Sequence, residues 1–142
     1  MGNHAIIAEL DRTYMKKTVP TLKVGYTVRV TQEISEGEKK RLQKFEGMIM
    51  KIHRKGGELH SNITVRKISA GVGVEKVFAI HSPAVTTIEI VKEAKVRRAR
   101  LYYTRNLFGK AARYKDRQLT DKQKAERVTH FDIPEKEEKT EA

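Results

Sequence analysis

Apolar residues recur at three- and four-residue spacing near the start of the chain. Ile6, Ile7, Leu10, Tyr14 and Met15 fall on one face of a helix that runs from Ile6 to Lys17. Pro20 limits its extent, because the residue before a proline is pushed out of the helical region. So short a helix is marginal alone, which predicts that its apolar face docks on something.

From Leu22 to Val91 the pattern changes to short strands broken by turn residues. Val24, Tyr26, Val28 and Val30 alternate with Gly25, Thr27 and Arg29, giving one apolar and one polar face. Glu36-Gly37 supplies a turn. A second run covers Leu42 to Ile52, with Gly47 at a position suited to a bend or bulge, and Gly56-Gly57 closes that hairpin. A third, Ile63 to Ile68, ends at Gly71-Val72-Gly73. A fourth (Val74, Val77, Phe78, Ile80) ends at Ser82-Pro83, and a fifth spans Val85 to Val91. Five short strands with few aromatic side chains suit a compact closed barrel, since closure removes the exposed edges of a small sheet. The expected fold is mainly β: a small SH3-like or similar β-barrel with an N-terminal helix and a basic, partly helical C-terminal extension.

Charge divides the chain further. Of a net +12, residues 94–117 carry nine cations against one carboxylate, whereas 1–20 and 21–93 are only mildly basic and 118–142 is net acidic. The expected organisation is an N-terminal helix over 1–20, a barrel over 21–93, a basic extension over 94–117, and a frayed helix followed by a disordered tail over 118–142. With 142 residues there is room for one domain.

A pI near 10.0 makes a polyanion the first candidate partner. A membrane surface is a poor alternative, because no amphipathic or lipidated anchor is present. No apolar stretch approaches the roughly 20 residues of a membrane span, and Glu9 and Asp11 interrupt the place where a signal peptide needs an apolar core. A soluble, cytoplasmic protein is expected. The chain has no cysteine, which removes disulfides, thiolate metal sites and a Cys nucleophile.

The basic extension contains Lys95, Arg97, Arg98, Arg100, Arg105, Lys110, Arg113, Lys115 and Arg117. Arginine dominates, and its planar fork contacts phosphate bidentately and stacks on bases. Tyr102, Tyr103 and Tyr114 lie among these cations, placed to stack on unpaired bases or donate to phosphate. An ordinary solvated helix face interleaves both signs, whereas Asp116 is the one counter-charge here. Leu101, Leu107 and one tyrosine are candidates for packing on the barrel. Arg66, Lys67 and the turn of Lys39, Lys40 and Arg41 are secondary RNA contacts. Such a cluster reads backbone shape rather than sequence, and if about six phosphates are neutralised, affinity falls roughly a thousandfold between 50 and 200 mM salt.

Other chemistry has little support. Gly71-Val72-Gly73 leads into a strand where a nucleotide-binding loop needs a helix. His4, His53, His60, His81 and His130 lack metal-ligand spacing, so no metal is expected. Glu33, Glu36, Glu38 and Glu46 fall in turns and polar strand faces, which argues against catalysis, although spacing alone leaves a His53 or His81 ribonuclease as an alternative.

Several motifs, taken together, resemble bacterial large-subunit ribosomal protein nineteen. They are Gly25-Tyr-Thr-Val-Arg-Val30, Phe45-Glu-Gly47, Thr64-Val-Arg-Lys-Ile-Ser69, Gly71-Val-Gly-Val-Glu75, Val77-Phe78, His81-Ser-Pro83, Lys95 through Tyr103, Arg105-Asn-Leu107 and Gly109-Lys-Ala-Ala-Arg113. The resemblance runs from about Ala5 to Lys115. It implies an SH3-like barrel that binds large-subunit rRNA without catalysis, cofactor or small-molecule substrate. It also implies a ribosome-bound place at the subunit interface near the decoding-side transfer RNA region, bridges to small-subunit rRNA, and pairing with large-subunit ribosomal protein fourteen. Phe108, Glu93-Ala94 and the extension Gln118 to Ala142 depart from the family pattern. A competing reading from another class is a free-standing or transcription-associated regulator that binds nucleic acid transiently.

Overall fold

A computed structural model describes residues 4–53, 58–112, 114, 116–118 and 128–130. Helix α1 (His4–Tyr14) precedes strands β1 (Thr27–Glu36), β2 (Lys39–His53), β3 (Asn62–Ser69), β4 (Val72–Ala79) and β5 (Val85–Ala94). Two short 3-10 helices follow, Tyr102–Asn106 and Gly109–Ala112, and then β6 (Asp116–Gln118) and β7 (Val128–His130). All pairings are antiparallel, in the order β4-β3-β2-β1-β5-β6, with β7 also on β5.

The alternation in the sequence sets the faces. Val28 and Val30 of β1 are fully buried, and Phe45 and Ile49 of β2, Ile63 and Val65 of β3, Phe78 of β4, and Val85, Ile88 and Ile90 of β5 join them in one cluster. The Phe45 and Phe78 ring centroids stand 5.6 Å apart across the intervening β3, which requires the sheet to curl around its apolar face. This curl buries the core without closing a hydrogen-bonded ring. Among the described residues no ladder joins β4 to the strands flanking β5, so the expected barrel is observed as an open, curled antiparallel sheet.

Local differences have local causes. β1 begins at Thr27 rather than Val24, because Gly25 takes φ +93° and turns the chain. Both strands of the first hairpin run further toward the turn than expected, through Glu36 and Lys39, and their polar ends project beyond the core. The bulge in β2 lies between Ile49 and Lys51, not at Gly47. Gly47 serves a close approach instead, since a Cβ there would stand 2.5 Å from the Arg66 carbonyl oxygen.

The expected docking of α1 is not observed. Ile6, Ile7, Leu10 and Tyr14 are each more than half exposed. What holds the N-terminal segment is the residue just after the helix: Lys16 Nζ donates to the carbonyls of Ile80, Ser82 and Val85, and its amide donates to Nδ1 of buried His81. No described helix is long and apolar enough to cross a membrane. Of the tail expected to be frayed or disordered, Gln118 and Val128–His130 pair as strands against β5, and the remainder lies outside the described residues.

Candidate nucleic-acid interface

After β5 the chain returns to β2 and is pinned there at one point by backbone pairing. Arg100 forms a β-bridge with Lys51, and the Leu101 amide donates to the Met50 carbonyl at 3.0 Å. The β2 bulge places Met50 outside the main cluster, where it and Leu101 are both fully buried. Thr104 is buried too, and its hydroxyl and amide both donate to the Leu101 carbonyl, at 2.7 and 3.1 Å. Because a 3-10 helix repeats every three residues, Leu101 and Thr104 face inward together. Tyr102, Tyr103, Arg105 and Asn106 are left outside, so both tyrosines are exposed and it is Leu101 that anchors the segment.

Lys95, Arg97, Arg98, Arg100, Arg105 and Lys110 are all exposed. Two of them stack on tyrosines: the Arg98 guanidinium lies 5.3 Å from the Tyr103 ring centre and that of Arg105 lies 5.1 Å from Tyr102. Tyr114 donates its hydroxyl to that of Tyr103 at 3.0 Å, and burial pushes the Tyr114 phenol above its ordinary value. Beneath the segment runs an open groove of about 620 Å³, lined by Thr27, Met48, Ile68, Lys92, Thr104 and Tyr114 among others.

The remaining predicted cations are used differently. Arg105 donates through Nε and Nη2 to the two carboxylate oxygens of Glu75, each at 2.8 Å, and Arg66 donates to the same carboxylate at 2.9 Å. The hydrogen bond from Arg105 holds the Glu75 carboxyl below its ordinary range, and Glu75 in turn raises Arg105. The Arg66 side chain is only 11% exposed, so it is largely spent on this internal pair. Lys67 lies with Nζ 4.6 Å over the Phe45 ring.

Lys39, Lys40 and Arg41 form a separate group at the tip of the β1–β2 hairpin, where Lys40 pairs with Glu33 at 3.0 Å and Arg41 with Glu36 at 2.8 Å. Eleven residue steps of extended strand separate Lys39 from Met50, roughly 36 Å along β2, so the tip and the segment are distinct cation clusters. Arg113 and Lys115 lie outside the described residues, and Arg117 stands in β6 opposite Glu93. Among the described residues no three His, Asp or Glu side chains gather as metal ligands.

Sequence reasoning gave Glu75 and Lys16 no role. The first was within reach, because the two-residue turn between β3 and β4 sets Arg66 directly opposite Glu75. Lys16 left no such signal.

Comparison with known proteins bears directly on this arrangement. The sequence model of the Ribosomal protein L19 family matches residues 5–117. The large ribosomal subunit protein bL19 of Lawsonia intracellularis (strain PHE/MN1-00) is 49% identical over 114 residues, covering 80% of this chain and 97% of the relative. That of Synechococcus elongatus is 47% identical over 117 residues, covering 82% and 96%. The motifs from Gly25 to Arg113 fall inside the matched range, whereas Gln118 and all of β7 fall outside it. Matched over most of its length, the chain belongs to the ribosomal protein L19 family, whose proteins are structural rather than enzymatic.

Proposed function

We propose that this protein is a structural constituent of the large ribosomal subunit that grips large-subunit rRNA through residues 95–117. The observation that carries the reading is the contrast between two sets of arginines in one segment. Arg105 is neutralised by Glu75, whereas Arg97, Arg98 and Arg100 are exposed and, among the described residues, have no carboxylate partner. Exposed guanidinium groups on a pinned backbone suit a phosphate ligand, because little backbone freedom remains to be lost on binding. Lys95 and Lys110 are exposed in the same segment, Arg113, Lys115 and Arg117 add to its positive charge, and Tyr102 and Tyr103 are available to unstacked bases.

The finer features follow the family reading. The helix of residues 1–20 and the sheet of 21–93, an SH3-like barrel in this reading, support the extension of 94–117, which the tail of 118–142 follows in sequence. A single core fed by β1 through β5 supports that reading of the fold, although the sheet itself is open and curled. The protein is cytoplasmic and ribosome-bound at the subunit interface. There it contributes to a bridge to small-subunit rRNA and pairs with large-subunit ribosomal protein fourteen, and the hairpin tip of Lys39 to Arg41 and the Lys67 region supply secondary contacts.

Sedimentation of a cell lysate through a sucrose gradient tests this. The protein should travel with large subunits at low salt and leave them as salt rises, and R97A/R98A/R100A should release it at lower salt than the parent. Free protein at the top of the gradient at every salt concentration would refute the proposal.

A further inference from the structure

Gly71 to Glu75 is a compact motif whose residues the RNA-binding reading does not use. Ala70 and Gly71 turn the chain with φ of 50° and 79°, so Ser69 pairs with Val72, and Arg66 pairs with Glu75 three positions from the turn. Both side chains project from the outer face of the hairpin. A Cβ on Gly73 would collide with the Arg66 guanidinium, so that group lies over bare backbone and reaches the carboxylate beside it. Glycine at 73 leaves space, arginine at 66 fills it, and glutamate at 75 is held from behind.

The front of that carboxylate faces the basic segment. Glu75 accepts from Arg105 on both oxygens, and Arg105 is the last cation of the 3-10 helix Tyr102–Asn106. The Arg66 side chain is 11% exposed, Glu75 23% and Arg105 52%, so burial deepens from the segment to the sheet. The planar, bidentate geometry fixes direction as well as distance. Arg105 also stacks on Tyr102, which connects the clamp to an exposed aromatic of the RNA-facing surface.

We propose that Glu75 is the positioning residue of this surface: with Arg66 behind it, its carboxylate clamps Arg105 to the β3–β4 hairpin and so sets how Tyr102, Tyr103 and Arg98 are presented to RNA. The proposal rests on the RNA-binding reading above. It assigns Arg105 and Arg66 to holding the surface in shape, and leaves Arg97, Arg98 and Arg100 to meet phosphate.

Charge and position make opposite predictions here. A carboxylate within a cationic surface opposes a polyanion, so on charge alone E75Q, which adds one positive charge, strengthens RNA binding. If Glu75 positions the surface, E75Q weakens it. The substitution keeps the side-chain size, and R105Q removes the other half of the clamp without touching the hairpin.

The experiment measures binding of the full chain to large-subunit rRNA for the parent, E75Q, R105Q and the double variant, with amide hydrogen exchange on each. E75Q is expected to bind roughly fivefold more weakly, and the double variant no more weakly than R105Q, because the two residues act through one contact. Exchange at the Leu101 and Thr104 amides, which donate to Met50 and Leu101, should accelerate in both single variants. Affinity of E75Q equal to or above the parent's, or unchanged exchange at those two amides, overturns the proposal. If the parent itself fails to bind rRNA, the functional reading falls, and the exchange rates alone still decide whether Glu75 clamps the segment.

Discussion

Lys16 Nζ lies 2.6 Å from the carbonyl oxygen of Val85, a contact between residues 69 positions apart. The same ammonium donates to Ile80 at 3.0 Å and Ser82 at 2.7 Å, so one cation ties the chain after α1 to the β4–β5 turn. The exposed apolar face of the helix adds little to that attachment. K16M withdraws a donor shared by three carbonyls while keeping an unbranched apolar stem, and it should destabilise the fold by about 1–3 kcal/mol. Urea unfolding would show this as a lower midpoint with an unchanged slope. A midpoint equal to the parent's would mean that the three contacts have no net worth.

The same residue gives the fold a pH dependence of unusual sign. Burial draws the Lys16 ammonium down to about 8 from its ordinary 10.5. Between those values the unfolded chain binds a proton that the folded chain has released, so this contribution to stability is absent below about pH 8, grows as pH rises, and is complete above 10.5. Lys16 is partly exposed, so after discounting for solvent screening the gain is about 1 kcal/mol. Tyr114, whose phenol is raised, acts in the opposite sense at still higher pH. The difference between parent and K16M stabilities isolates the lysine. It should change by that amount across the window, and a constant difference from pH 7.5 to 10.5 would contradict the assignment.

How far the sequence discloses this architecture depends on whether a feature is local. Val28 and Val30 reveal the buried face of β1 because alternation with period two is written in neighbouring residues. Gly37 and Gly71 mark hairpin turns for the same reason, although the second turn is Ala70-Gly71 and the expected turn residues Val72 and Gly73 already pair in β4. The bulge near Met50 has no such mark, and it decides where Leu101 is pinned. Barrel closure is also illegible, since it depends on how far five strands curl together and not on any one of them. In the basic segment composition identifies the cations but does not rank them. Arg105 and Arg98 look alike in sequence, and only the fold brings Glu75 to one of them. Lys16 was hidden because its three acceptors are main-chain carbonyls, which every sequence contains.

Gly47 offers a steric test of how closely β2 and β3 approach. A Cβ at this position would stand 2.5 Å from the Arg66 carbonyl oxygen and 2.9 Å from Val65 Cγ1. The first neighbour is backbone and cannot rotate away, so G47A forces β3 to shift and should cost about 1–3 kcal/mol. Because Arg66 lies on the displaced strand, the variant should also speed amide exchange along the β2–β3 ladder more than along β1–β5. Stability within about 0.5 kcal/mol of the parent would show that the strands separate more easily than their packing indicates.

The two classes of arginine in the basic segment should separate in a salt titration. Each phosphate contact that is lost lowers the slope of log affinity against log salt by about 1, whatever the RNA sequence. Arg97, Arg98 and Arg100 are exposed and lack a carboxylate partner among the described residues, so R97A, R98A and R100A should each flatten the slope by about that amount. R98K keeps the charge but gives up the guanidinium plane lying over Tyr103, and it should retain the slope while losing affinity. Arg105 is already paired bidentately with Glu75, so R105A should leave the slope closer to the parent's even where affinity falls. Filter binding to large-subunit rRNA between 50 and 200 mM salt measures the parent and all five variants under one protocol. Equal slope changes for R98A and R105A would mean that Glu75 releases its arginine to phosphate when RNA arrives, and the division between holding and binding arginines would then be lost.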